Sequence, residues 1–243
     1  MKSGIVRLEL ESTAAVAAPA SGVQLGLGRG GPLTLRLFRA GGTRVALAAR
    51  VFPAQLIVLR AAAAGTPVQV LTTRPQLWQP VLRDGGAPGA HVVSSTEARL
   101  PSAGPTLLVD DRPVEARGPA DVRPWQCRID VRTQWTYADI SAFGRSDLAI
   151  FGAVPPDVVT AVATAFGVAA HAVQPLAQLD AGSFGVLRRG RVEYVSLDPT
   201  AAESRVLETA RAAAPDSQPL PARAGRYDQT IARSQLDATR MAP

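Results

Sequence analysis

Residues 45–64 read Val45-Ala46-Leu47-Ala48-Ala49-Arg50-Val51-Phe52-Pro53-Ala54-Gln55-Leu56-Ile57-Val58-Leu59-Arg60-Ala61-Ala62-Ala63-Ala64, between a Gly41-Gly42 turn and Gly65. The apolar run 45–48 is short enough for a buried strand, and 54–64 is rich in strong helix formers. Pro53 suits the first turn of a helix, where its missing N–H has no partner in any case, and Gly65 is a natural stop. Strand, loop and helix in that order predict one unit of a parallel sheet.

The pattern repeats outward. Residues 68–71 read as a strand, 76–82 as a helix and 90–94 as a strand; 106–109 is a further apolar run, ended by Asp110, Asp111 and Pro113. Next come an alternating stretch 126–132, a helical one 137–143 and a buried strand 148–151. Pro155 and Pro156 open a helix through Ala165 that Gly167 terminates. Segments 183–187 and 192–197 flank a turn at 188–191 as a hairpin, and Thr200 with Glu203 three residues on forms a capping box for a helix reaching about Ala213. Ahead of the first unit, 5–10 and 33–38 alternate like half-exposed strands around the glycine-rich 22–31, where Gly26, Gly28, Gly30 and Gly31 read as a flexible loop. The whole predicts an α/β fold: a mostly parallel sheet with helices on both faces, a β lead-in over 1–40, a core over 41–213 and a flexible tail over 214–243. The tail is polar, with weak helical potential at 229–236, and is expected to order on a partner.

With 243 residues, 47% of them hydrophobic, the chain can bury one large core, built from small aliphatics because aromatics are only 5%. Its net charge of +6 permits attraction to phosphates. A clustered basic face is missing, however, and the densest group, Arg188, Arg189 and Arg191, falls in a turn, so nucleic acid is not an expected partner. The single Cys127 excludes an intrachain disulfide, and His91 and His171 are too few for a Cys/His zinc set, so no metal site is expected. Neither histidine adjoins a recognisable nucleophile, and the loop after 45–48 lacks the glycines of a dinucleotide site. No apolar run approaches the ~18 residues that cross a bilayer, and a signal-peptide pattern is missing, so cytoplasmic residence is the expectation. Trp78 reads as core; Trp125 and Trp135 bracket the alternating stretch 126–132.

Pro32-Leu33-Thr34-Leu35, then Gly41-Gly42-Thr43, then Val45-Ala46-Leu47 and a helix resemble the entry to an FtsK/SpoIIIE-type ATPase domain, in character like those of the EccC motor of actinobacterial type VII secretion. The resemblance implies a RecA/P-loop-like core. In that family the strand leads into Gly-x-x-x-x-Gly-Lys-Ser/Thr, and the matching residues here are 49–56. Ala49 and Ala54 stand for the glycines that let backbone N–H groups converge on phosphate, and Pro53 removes one donor. Gln55 takes the lysine's place and Leu56 that of the Mg²⁺-binding hydroxyl, while the only lysine of the chain is Lys2. Thr106-Leu107-Leu108-Val109-Asp110-Asp111 resembles the second motif, with Asp110 for Mg²⁺ and Asp111 as the adjacent acid; taken alone, two acids at a strand end also simply begin a turn. Arg132-Thr133-Gln134-Trp135 resembles the sensor strand, 148–168 the following strand and helix, and 179–184 the loop before the terminal hairpin.

What the resemblance implies is an ATPase-like protein without nucleotide cofactor or catalysis, accessory to type VII secretion. A pocket around Arg50, Phe52, Gln55, Gln134 and Trp135 would take a protein partner, a secretion motor or a secreted substrate. The competing expectation is an α/β group-transfer enzyme in which Asp110 and Asp111 hold a metal and a phosphorylated or nucleotide-sugar ligand.

Overall fold

The computed structural model describes residues 22–84, 91–93, 104–117 and 121–213. A hairpin of β1 (Val23–Gly28) and β2 (Gly31–Leu35) comes first, then β3 (Thr43–Ala48) and α1 (Phe52–Ala63) as a strand–loop–helix unit. β4 (Val68–Thr72) leads through a 3₁₀ turn at Pro75–Leu77 to α2 (Gln79–Asp84) and β5 (His91–Val93), followed by β6 (Thr106–Asp111) and β7 (Gln126–Val131). Beyond them lie α3 (Ile140–Phe143), β8 (Leu148–Phe151), α4 (Val159–Phe166), α5 (Ala170–Val173), the hairpin β9 (Ser183–Arg188) and β10 (Arg191–Leu197), and α6 (Ala201–Ala212).

All the described strands join one sheet in the order β2-β1-β10-β9-β8-β3-β7-β6-β4-β5. From β8 to β5 every pairing is parallel, and from β8 back to β2 every pairing is antiparallel. β3 therefore lies in mid-sheet, with Val45 opposite Ile129 of β7 on one side and Leu148 of β8 on the other. Its alternate side chains enter two separate cores. Val45 and Leu47 face the layer of α1, α2 and α6, whereas Ala46 and Ala48 face that of α3, α4 and α5. Strands covered on both sides must be apolar throughout, which is why 45–48 carries no polar residue.

The lead-in does not stand apart, because β1 pairs with β10 and extends the sheet. Gly26 and Gly28 are strand residues and not part of a flexible loop. A Cβ on Gly26 would lie 2.2 Å from the Ser196 carbonyl oxygen, so the glycine permits backbones to meet at a bulge in β1. Gly26→Val is accordingly expected to cost about 2 kcal/mol, read as a lowered urea midpoint at unchanged m-value.

Three helices differ from expectation for local reasons. The helix foreseen over 76–82 is broken at Trp78, because Pro80 lacks the N–H that would continue the ladder. α4 starts at Val159 and not at Pro155, since a proline following Pro155 disfavours the helical region there; instead Val158 N–H donates to the Pro155 carbonyl in a turn. The third, the short α5 that carries His171, was not foreseen between Gly167 and the terminal hairpin. Gly167 does adopt the left-handed conformation, φ 63°, that closes α4, and Thr200 and Glu203 exchange both bonds of the capping box. The strand foreseen at 5–10 and the tail 214–243 lie outside the described residues.

Arg60, on α1, ties three distant pieces together. Its guanidinium donates to Glu203 at the start of α6, to the Gln24 carbonyl in β1 and to the Asp198 carbonyl after β10. The Arg60 hydrogen bond holds the Glu203 carboxyl below its ordinary range, outweighing the opposing effect of burial.

Candidate functional site

The carboxyl ends of β4, β6, β7, β3 and β8 form one rim of the parallel sheet, the usual place for a ligand in an open α/β fold. The β3–α1 connection there is only three residues, Ala49 to Val51, and Val51 is already helical at φ −65° and ψ −23°. Gln55 N–H donates to the Val51 carbonyl as the first α1 bond. The first turn carries no side-chain cap and no acidic residue, and Pro53 removes a donor from it. So short a connection offers few backbone N–H groups to a bound anion. Gln55 is 4% exposed, and its carboxamide donates to the Leu77 carbonyl at 2.7 Å, inside the layer between α1 and the Pro75–Leu77 turn.

One strand away from β3, across β7, β6 presents its two acids to opposite faces of the sheet. Asp111 points to the α1 side. One of its oxygens accepts from the Thr72 hydroxyl at 3.0 Å and from the Trp78 indole N–H at 2.9 Å, and the other pairs with Arg74. Trp78 is core, as expected, and also a hydrogen-bond donor to the site.

Asp110 points the other way and is fully buried. Arg112 grips it with two bonds, 2.9 and 2.8 Å, and Arg128 of β7 adds a third at 3.1 Å. Arg128 also bonds Asp130 at 3.0 Å, and Arg117 approaches Asp130 at 3.5 Å while donating to the Arg112 and Val131 carbonyls. Burial pushes the Asp110 carboxyl up, but the Arg112 hydrogen bond and the charges of Arg117 and Arg112 together hold it below the usual carboxylate range. Conversely, burial draws Arg117 below its ordinary value against the pull of Asp130 and Asp110. Two acids and three arginines leave this cluster with one net positive charge. Both Asp110 oxygens accept from guanidiniums, so a divalent cation there would have to displace one.

The residues expected to form a sensor strand, 132–135, lie beyond the end of β7 in a bend, and their side chains diverge. Gln134 is exposed, and Arg132 pairs with Asp139 with its guanidinium 5.6 Å from the Phe143 ring centre. Trp135 packs edge-on against Phe143 and Phe151, ring centres 5.7 and 5.9 Å away. The five residues grouped as a partner pocket therefore do not meet in one opening. Phe52 and Gln55 pack on the α1 side of the sheet, Trp135 on the α3–α4 side, and only Arg50 and Gln134 are exposed. Their nearness in an aligned motif said nothing of the sheet between them.

Missed from sequence were the partners of the acids: Thr72, Arg74, Arg112, Arg117 and Arg128. The alternation of 126–132 was the available signal, since it places Arg128 and Asp130 on one face of β7; the missing piece was the register that sets Asp130 beside Asp110. Trp125 is 48% exposed and adopts a left-handed φ of 62° in a turn after Pro124.

No family model matches this chain. No curated protein matches it either. Among solved structures it is similar to VirB4 of Thermoanaerobacter pseudethanolicus, a secretion ATPase, at a TM-score of 0.53 and 10% identity, over 77% of this chain and 99% of that one. At that identity the likeness is one of fold. Among the described residues, no single helix is long and apolar enough to cross a membrane.

Proposed function

We propose that this chain is a non-catalytic, ATPase-like component of a secretion machine, of the type VII kind, that works through protein contacts on the cytoplasmic side. Its core is read as a RecA-like unit whose nucleotide site has been filled from within. One observation carries the reading: the acids of β6 are neutralised by Arg74, Arg112 and Arg128, while Gln55, in the lysine's place, is buried against the Leu77 carbonyl. The mid-sheet position of β3, one strand from β6, is what a former nucleotide site requires. The similarity to a secretion ATPase supports the setting. The partner is a secretion motor or a secreted substrate.

Isothermal titration of the full chain with ATP and Mg²⁺ is expected to give no heat of binding at any concentration up to millimolar. Micromolar affinity followed by release of phosphate overturns the proposal. Co-purification with a secretion motor from the source cells is the expected positive result.

A further inference from the structure

A groove of about 640 Å³ runs between α3 and α4. The two helices converge at one end of it, where a Cβ on Gly144 would come 2.7 Å from the Ala165 carbonyl oxygen. Ala161 and Ala165 line it with small side chains, so another helix can approach closely. Asp157 stands at the end where α4 begins, and Arg145, next to Gly144, stands where α4 finishes. Both are exposed, and neither side chain makes a hydrogen bond or ion pair among the described residues. The rest of this surface carries little charge: from 148 to 179 the ionisable residues are Asp157 and His171, and His171 lies on α5, outside the lining of the groove. Covering it therefore desolvates little charge.

One charge of each sign at opposite ends of a single helix makes the face complementary to itself when reversed. We propose that the groove is a self-association site, in which α4 of a second copy of this chain lies antiparallel along α4 about a two-fold axis. The axis brings Asp157 of each copy over Arg145 of the other, so one surface forms two equivalent ion pairs. A foreign helix would need a basic residue at one end, an acidic one at the other and small residues between; a second copy already presents that pattern.

Sedimentation velocity on the full chain, from low to several hundred micromolar, is expected to show a reversible monomer–dimer equilibrium. Asp157→Arg and Arg145→Asp should each weaken it at least about tenfold by facing like charges, and the double exchange should restore it. Circular dichroism confirms that these exposed variants remain folded. A folded wild-type chain that stays monomeric throughout overturns the proposal, and so does a dimer indifferent to both single exchanges. A monomer that takes up another protein's helix in the groove also overturns it. Nucleotide does not enter the experiment, so its outcome is separate from that of the ATP titration.

Discussion

Asp110→Asn is expected to lower stability by about 3–5 kcal/mol, enough to unfold much of the chain at 37 °C, because it leaves Arg112 and Arg128 buried without their shared counter-charge. An amide keeps the shape of the carboxylate and supplies one acceptor where three guanidinium bonds converge. Urea unfolding followed by circular dichroism measures the loss. The pH dependence has a definite sign. The native Asp110 carboxyl lies below the unfolded value of about 3.9, so its contribution is complete above that value and disappears as pH falls through the native one. As pH falls below about 4, the wild-type urea midpoint should thus drop more steeply than that of the Asn variant. Equal slopes would remove Asp110 from the account of acid lability.

Gln55→Lys introduces the residue that P-loop nucleotide chemistry demands and is expected to destabilise the chain without conferring nucleotide binding. The ammonium would enter a site 4% exposed, where the Leu77 carbonyl is the acceptor in reach and no carboxylate is bonded. Stability should fall by about 3 kcal/mol. Titration with ATP and Mg²⁺ should remain silent, because a connection of three residues that is helical from Val51 offers no cradle for the lysine to serve. Gln55→Met, which keeps the volume and loses the hydrogen bond, should cost only about 1 kcal/mol. A Lys variant as stable as wild type that binds ATP would mean the β3–α1 loop opens readily and the site is dormant.

Periodicity made the frame legible. The runs at 45–48, 107–109 and 148–151 are apolar at every position because each strand is buried on both faces, and such runs identify central parallel strands without knowledge of their neighbours. Caps were legible for the same reason, being local: Thr200, Glu203 and Gly167 act within one turn of chain. The site was less so. That residues 49–56 hold neither lysine nor glycine is written in the sequence, but the partners of the β6 acids are not, since Arg128 and Asp110 are brought together by a strand register with no local signature. Gly26 misled because an exposed loop and a crowded backbone crossing both favour glycine, and only the Ser196 carbonyl distinguishes them.

The grip of Arg60 sets an order on how this chain completes itself. The residues it holds are separated from it by 36 positions in one direction and 143 in the other. During synthesis, the nascent chain can assemble the parallel strands and α1 early, yet the latch stays open until Glu203 has left the ribosome. Until then the flank of α1 that α6 later covers stays open to water.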